Sequence, residues 1–232
     1  MRTIVYVDGF NLYKAALSKS PYKWLNLHSL FQNYVIPNAQ PGSAVICIKY
    51  FTARVKGKLC RNRESPDRQH RYMMALKHYL GNKIEIIEGK HSPLSFTGRM
   101  LEPRECQYHG NWVTVEKMEE KQTDVNIALN MYRDSARNAC DHLVLVSNDS
   151  DLAPAISLIK QDFPALVCGI VMPSNQRLSR SLSESADWIR AGLREEELAR
   201  SQLPNVIEYR TGAKNKLKRL CKPDAWYDTT TS

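Results

Sequence analysis

No stretch of this sequence approaches the roughly 20 consecutive apolar residues that a membrane-spanning helix needs, so no such helix is expected. The N-terminal run Met-Arg-Thr-Ile-Val-Tyr-Val-Asp is too short for a secretory leader and ends in a carboxylate; it reads as a first strand, and the expected location is cytoplasmic. Cysteine is thinly spread: six residues (Cys47, Cys60, Cys106, Cys140, Cys168, Cys221) in a chain of 232 give no disulfide framework, and thiols are expected. Internal repeats and low-complexity tracts are lacking. So is any Gly-x-Gly-x-x-Gly dinucleotide fingerprint, and no stretch reads as a flavin or haem attachment site. Acids are outnumbered, 24 against 33 Lys and Arg, and the resulting net charge of +9 favours polyanionic partners such as nucleic acid.

What is present is an alternation of short apolar strands with amphipathic helices, the pattern of an α/β fold with a mainly parallel sheet flanked by helices. Strands are expected at Thr3–Val7, Ala44–Thr52, Lys83–Glu88, His142–Val146 and Ala165–Val171. Helices are expected after Asp8, over Leu27–Tyr34 with Pro37 closing it, and from Pro66 to Leu80 with Gly81 as cap. They continue over Asp124–Asn138, Ser150–Gln161 and Arg194–Arg200. Val125, Ala128, Leu129 and Tyr132 recur at i, i+3, i+4 and i+7, so that face of the Asp124 helix is expected to meet the core. Residues 91–116 read as an insertion with a hairpin around Trp112–Val115. The domain is placed at 1–200, and 201–232 reads as a basic, peripheral C-terminal tail.

Four acids share one placement. Asp8 follows the first strand, Asp149 and Asp151 follow the His142–Val146 strand, and Asp124 opens the helix leading into that strand. In open parallel sheets functional groups gather at the carboxyl ends of the strands, near the point where strand order reverses. Each Asp alone reads as a helix N-cap. Together they read as a site for Mg²⁺ or Mn²⁺, because clustered carboxylates repel unless a cation lies among them and these ions take hard oxygen ligands. Such an ion activates water and polarises a phosphate. Asn11, one turn beyond Asp8, is placed to hold a water or a phosphate oxygen, and Ser147 to orient a carboxylate by hydrogen bond. Asp151 stays open between ligand and cap.

Three segments in order resemble the NYN domain, a branch of the PIN-like nuclease superfamily: Val7-Asp8-Gly9-Phe10-Asn11-Leu12-Tyr13, Lys121-Gln-Thr-Asp124-Val125-Asn126 and Val146-Ser147-Asn-Asp149-Ser150-Asp151-Leu152. The likeness runs from Arg2 to about Arg190 and is nearest to a bacterial subgroup of stand-alone NYN proteins, whose Lys49–Arg54 and Ser201–Pro204 segments are also similar. The resemblance implies a PIN-like three-layer sandwich and a metal-dependent ribonuclease. Asp8, Asp124 and Asp149 are its acidic core, Asp151 an additional ligand or water-positioner, and Asn11 a supporting polar group. Two departures are Gln122-Thr123, where similar proteins have Gly-Thr or Gly-Val, and Asn148, often Gly.

Several further features admit two readings. Cys106 and His109 have the spacing of half a zinc site, but four ligands are needed and no second half is recognisable, so zinc is not expected. Arg54, Lys56, Lys58, Arg61 and Arg63 form either a phosphate-contacting segment or a solvated loop, and Lys121 either a phosphate ligand or an exposed helix-start lysine. Trp24, Trp112, Trp188 and Trp226 are candidate base-stacking platforms or core anchors. RNA is the expected partner, with a homodimer as an open possibility. Two other function classes stay in play: an inactive RNA-binding module, and an NADH-dependent hydroxylase of pyridine-alkaloid (nicotine) breakdown acting on 6-hydroxy-3-succinoylpyridine, an activity attached to some NYN-like proteins.

Overall fold

The computed structural model describes residues 1–55, 62–99, 112–174, 180–212 and 215–226. Its first strand, β1 (Arg2–Asp8), lies at the centre of a seven-stranded sheet. A short helix α1 (Gly9–Leu12) continues as a π-helical turn, Tyr13–Leu17. Next come α2 (Leu27–Leu30), a second π-helical turn (Phe31–Val35), and α3 (Ile36–Ala39). Pro37 does not close this helix as expected. It sits in the first turn of α3, where its missing N–H costs nothing.

Strand β2 (Ala44–Ala53) leads to α4 (Ser65–Leu80), β3 (Ile84–Arg99) and β4 (Trp112–Lys121). Then follow α5 (Thr123–Ala136), β5 (His142–Val146), α6 (Ala153–Asp162) and β6 (Val167–Met172). The remainder is α7 (Arg180–Glu184), β7 (Trp188–Ala191), α8 (Glu195–Arg200), β8 (Val206–Thr211) and β9 (Lys216–Cys221).

Sheet order is β4-β3-β2-β1-β5-β6-β7. Six strands run parallel and β4 alone is antiparallel, pairing with the outer part of β3. This is the mixed α/β sandwich with a mainly parallel sheet that the sequence pattern and the resemblance led one to expect. The expected insertion begins as sheet: β3 runs on past its pairing with β2 and forms a ten-residue ladder with β4, Lys90 opposite Lys121 through Arg99 opposite Trp112.

Period-two alternation divides the strand side chains between two cores. Val5, Val7, Val144 and Val146 enter the layer built by α2, α3 and α4, whereas Ile4, Tyr6, Leu143 and Leu145 enter the layer under α5 and α6. Gly169 in β6 is fixed by close packing, because a Cβ there would lie 2.1 Å from the Trp188 ring.

Two expectations about packing change. Val125 and Leu129 are more than half exposed, and α5 instead turns Ile127, Met131 and Asp134 inward. The cause is electrostatic as well as apolar: Lys49 on β2 is buried, and its Nζ meets Asp134 at 2.6 Å while the Tyr6 hydroxyl donates to the same carboxylate oxygen at 2.7 Å. The stretch after Arg200, expected as a peripheral tail, forms the β8–β9 hairpin and buries Leu203 and Ile207 in the core. Fully buried Trp24 donates its indole N–H to the Pro204 carbonyl at 2.8 Å, and Trp226 packs edge-on to both Trp24 and Tyr72.

Among the described residues no helix is long and apolar enough to cross a membrane, and Cys47, Cys140, Cys168 and Cys221 are unbridged.

Candidate active site

Strand order reverses at β1, with β2 on one side and β5 on the other, so a crevice opens above the carboxyl ends of β1 and β5. The chain places Asp8 there as the last residue of β1, followed at once by a helix. Gly9 permits that turn: a Cβ would come within 2.7 Å of the Phe51 carbonyl and the Tyr50 ring. Asp8 is almost wholly buried, and its two oxygens have separate tasks. Oδ1 accepts the Asn11 N–H at 2.9 Å and caps α1, while Oδ2 accepts the Ser147 hydroxyl at 3.1 Å. Asp8 is therefore both a helix cap and a wall of the crevice.

Ser147, fully buried just past β5, also accepts the Asp149 N–H at 3.1 Å, so one hydroxyl sets the positions of two acidic residues. Asp149 caps the 3-10 turn Ser150–Leu152 by accepting the Asp151 N–H at 3.0 Å. Asn11 Oδ1 accepts the Asn148 N–H at 3.2 Å and so ties the β1–α1 turn to the loop after β5.

A cavity of about 430 Å³ lies between these pieces. The β1–α1 segment lines it with Asp8, Phe10, Asn11, Lys14 and Ala15; the loop after β5 contributes Asn148 and Asp149, and the start of α5 contributes Thr123 and Asp124. Asp8, Asp124, Asp149 and Asn11 thus share one wall system, with Ser147 directly behind. Asp151 does not line it: its side chain is exposed, and the capping role weighed for it belongs to Asp149. Sequence reading passed over Phe10 and Lys14, whose ammonium lies 4.2 Å from the Phe10 ring centroid. The helical spacing Phe10, Asn11, Lys14, Ala15 would have found them.

Asp124 reaches the cavity through an unusual turn. Gln122 precedes α5 in the left-handed region at φ 75°, which favours glycine. A glycine, which the resemblance led one to expect here, would adopt this conformation without strain.

The other expected residues lie elsewhere. Arg54 pairs with Glu88, Nη2 to Oε1 at 2.9 Å, and lines a separate cavity of about 290 Å³ with Gln69 and His70. The ion pair raises the guanidinium above its ordinary range and lowers Glu88. Arg63 is exposed just before α4, and Lys121 is exposed at the end of β4. Lys56, Lys58, Arg61, Cys106 and His109 lie outside the described residues. Of the four tryptophans, Trp24, Trp188 and Trp226 are packed against the core, and only Trp112, on β4, is largely exposed.

Among the described residues, no three acidic, histidine or cysteine side chains stand close enough together to ligate one ion directly. The donor chemistry nevertheless fits a hard divalent cation. The wall offers carboxylate and amide oxygens, with neither thiol nor imidazole. Mg²⁺ in particular is held by one or two carboxylates and keeps several waters.

The family model for the NYN domain matches residues 2–189. The chain is 35% identical over 248 residues to the 6-hydroxy-3-succinoylpyridine 3-monooxygenase HspA of Pseudomonas putida, a match covering 98% of this chain and 76% of that protein. A protein of unknown function from Vibrio parahaemolyticus, known by crystal structure, is 17% identical with a TM-score of 0.48, covering 82% of this chain and 91% of that one.

Proposed function

The chain belongs to the NYN domain family, and from that premise we propose that it is a metal-dependent ribonuclease, cutting RNA phosphodiester bonds with water as nucleophile. The observation that carries the proposal is the convergence of Asp8, Asp124 and Asp149, from three separate elements, on one cavity at the strand-order reversal. A family with a nuclease-type activity supports the same reading, and so does a net charge of +9.

Asp8, Asp149 and Asp124 are the residues that would hold Mg²⁺ or Mn²⁺, directly or through its bound waters. When bound, such an ion supplies Lewis acidity toward the phosphate and lowers the pKa of water. The remaining work belongs to the chain. Ser147 and the Asn11 N–H fix the rotamer of Asp8, so its charge is held in place before substrate arrives. Asn11 Oδ1 holds the loop that carries Asp149. Lys14 brings a positive charge to the cavity wall for a phosphate oxygen, and Phe10 beside it offers an exposed ring face.

One observation favours a second reading: the 35% identity to a 6-hydroxy-3-succinoylpyridine 3-monooxygenase extends over nearly the whole chain. Fold kinship alone does not fix chemistry. Two assays on one preparation separate the readings. Single-stranded RNA is incubated with Mn²⁺, with EDTA, and with the Asp149→Asn variant; NADH oxidation is followed with 6-hydroxy-3-succinoylpyridine. Cleavage that needs Mn²⁺ and is lost in the variant supports the ribonuclease. NADH consumption on the pyridine with RNA left intact supports the oxygenase and ends the first reading. RNA bound but never cut would mark an inactive binding module.

A further inference from the structure

The β8–β9 hairpin is where the chain concentrates its positive charge. Residues 205–222 hold six Lys and Arg (Arg210, Lys214, Lys216, Lys218, Arg219 and Lys222) against one acid, Glu208, so this short segment carries +5 of the net +9. Glu208 is already taken by Arg219, Oε1 to Nε at 2.8 Å. Arg210, Lys216, Lys218 and Arg219 are all exposed. The root of the hairpin is apolar: Ile207 is buried in the core, and Leu220, its cross-strand partner, packs against that core. Next along the same face Tyr209 stacks on His78, in the last turn of α4, with ring centroids 3.8 Å apart, and Lys218 stands opposite Tyr209. Thr211 and Lys216 complete that face, and exposed Lys77 neighbours His78 on α4.

The fold gains nothing from these cations. A two-stranded ribbon is marginal in water, and like charges set side by side weaken it further. The apolar root and the Tyr209–His78 stack hold the hairpin, whereas Lys216 and Lys218 stand in solvent. A cationic ribbon suits a polyanion, and lysines that meet phosphates hold a strand without reading its sequence. We propose that the β8–β9 hairpin, with Lys77 beside it, is a second contact for the RNA strand, gripping its phosphate backbone at the end of the sheet opposite the carboxylate cavity. Helix α4 leaves the carboxyl end of β2 and returns to the start of β3, so its last turn lies at the other edge, about 24 Å away for 16 residues. A stacked strand advances about 3.4 Å per nucleotide and needs about seven nucleotides to cover that span. The proposal rests on the ribonuclease reading and adds to it a preference for long strands.

The test uses the full chain and the double variant Lys216→Gln with Lys218→Gln, at two exposed positions outside the cavity. Fluorescence anisotropy, with Ca²⁺ in place of Mn²⁺ to stop cleavage, gives the affinity for two single-stranded RNAs. One has about 20 nucleotides, well beyond the span, and the other about four, too short to cross it. Cleavage of both is then followed with Mn²⁺. At about 0.1 M salt, loss of two phosphate contacts should weaken binding of the long RNA about 25-fold and flatten the slope of log affinity on log salt by about 1.4. Binding and cleavage of the short RNA should not change, nor should the melting temperature. Lys216→Arg with Lys218→Arg should bind the long strand as wild type does. If the Gln variant holds the long RNA as tightly as wild type, or weakens long and short strands equally, this inference falls, while wild-type cleavage keeps the ribonuclease reading. Wild-type protein that neither binds nor cuts RNA ends both. Loss of binding to phosphatidylserine vesicles in the Gln variant, with RNA affinity intact, would give the hairpin to a membrane surface and overturn the inference.

Discussion

Replacing Asp8 by Asn removes one negative charge and little else. Oδ1 accepts the Asn11 N–H at 2.9 Å, a bond that an asparagine oxygen preserves. Oδ2 accepts the Ser147 hydroxyl at 3.1 Å; an amide nitrogen there reverses the bond, because a hydroxyl oxygen also accepts. The price is one Ser147 proton left without its acceptor, about 1 kcal/mol, offset by removing a buried charge from the side of Asp149 and Asp124. Stability without metal should therefore stay within about 1 kcal/mol of the wild type. The metal response should change far more. An ion at about 100 times its Kd stabilises the folded state by about 2.7 kcal/mol. For a chain of this size each kcal/mol moves the melting temperature by roughly 2–4 °C. Wild-type protein should thus melt about 5–10 °C higher in millimolar Mn²⁺ than in EDTA, read by differential scanning fluorimetry. Asp8→Asn and Asp149→Asn should lose most of that shift, and RNA cleavage should fall by about 10³-fold, the equivalent of about 4 kcal/mol. Asp151→Asn, which neutralises an exposed carboxylate outside the cavity, should keep the shift. The reasoning is refuted if Asp8→Asn retains the full Mn²⁺ shift, or if Asp151→Asn is the variant that abolishes it.

Three further outcomes concern the frame around the site. His142 is fully buried, with Nδ1 2.9 Å from the Thr3 hydroxyl and Nε2 accepting the Trp188 indole N–H at 3.0 Å; burial depresses its pKa to about 4. The unfolded chain binds this proton near pH 6.5 and the folded chain only near 4, so stability should decline by about 3 kcal/mol as pH falls through that window. Urea melts followed by tryptophan fluorescence should show the decline in wild-type protein and lose its histidine component in His142→Gln. Lys49→Met leaves the buried Asp134 carboxylate only the more distant Arg133, at 3.6 Å, and should cost about 3 kcal/mol, whereas adding Asp134→Leu should recover part of the loss in a double-mutant cycle. Gln122→Gly relieves a left-handed backbone at φ 75° and should stabilise by about 0.5–1 kcal/mol in chemical denaturation; a destabilised variant would mean that the Gln122 side chain outweighs the strain.

The alternation of β-branched strands with amphipathic helices was legible because both periods are local properties, and it led directly to a mainly parallel sheet with Asp8 and Asp149 at strand ends. The meeting of Asp8 and Asp149 could be anticipated for the same reason, since a parallel sheet puts the carboxyl ends of β1 and β5 on one edge; Asp124 is brought there by β4, which runs antiparallel. Periodicity failed on α5, which carries two stripes. Val125, Leu129 and Tyr132 form the more apolar one, yet the helix buries Ile127, Met131 and Asp134, because Asp134 answers a lysine on β2 that is distant in sequence. The segment after Arg200 read as a basic, peripheral tail, and only the tertiary fold shows Leu203, Ile207 and Trp226 completing the core around Trp24.

By itself, then, the sequence determined the layer architecture and the acids that meet at the strand-order reversal, both consequences of short-range pattern. The tertiary structure alone decided that Asp149 rather than Asp151 caps its turn, that Lys14 joins the carboxylate wall, and that Asn11 ties the β1–α1 turn to the loop after β5. Those outcomes depend on which loops are brought side by side, and no local rule carries that information.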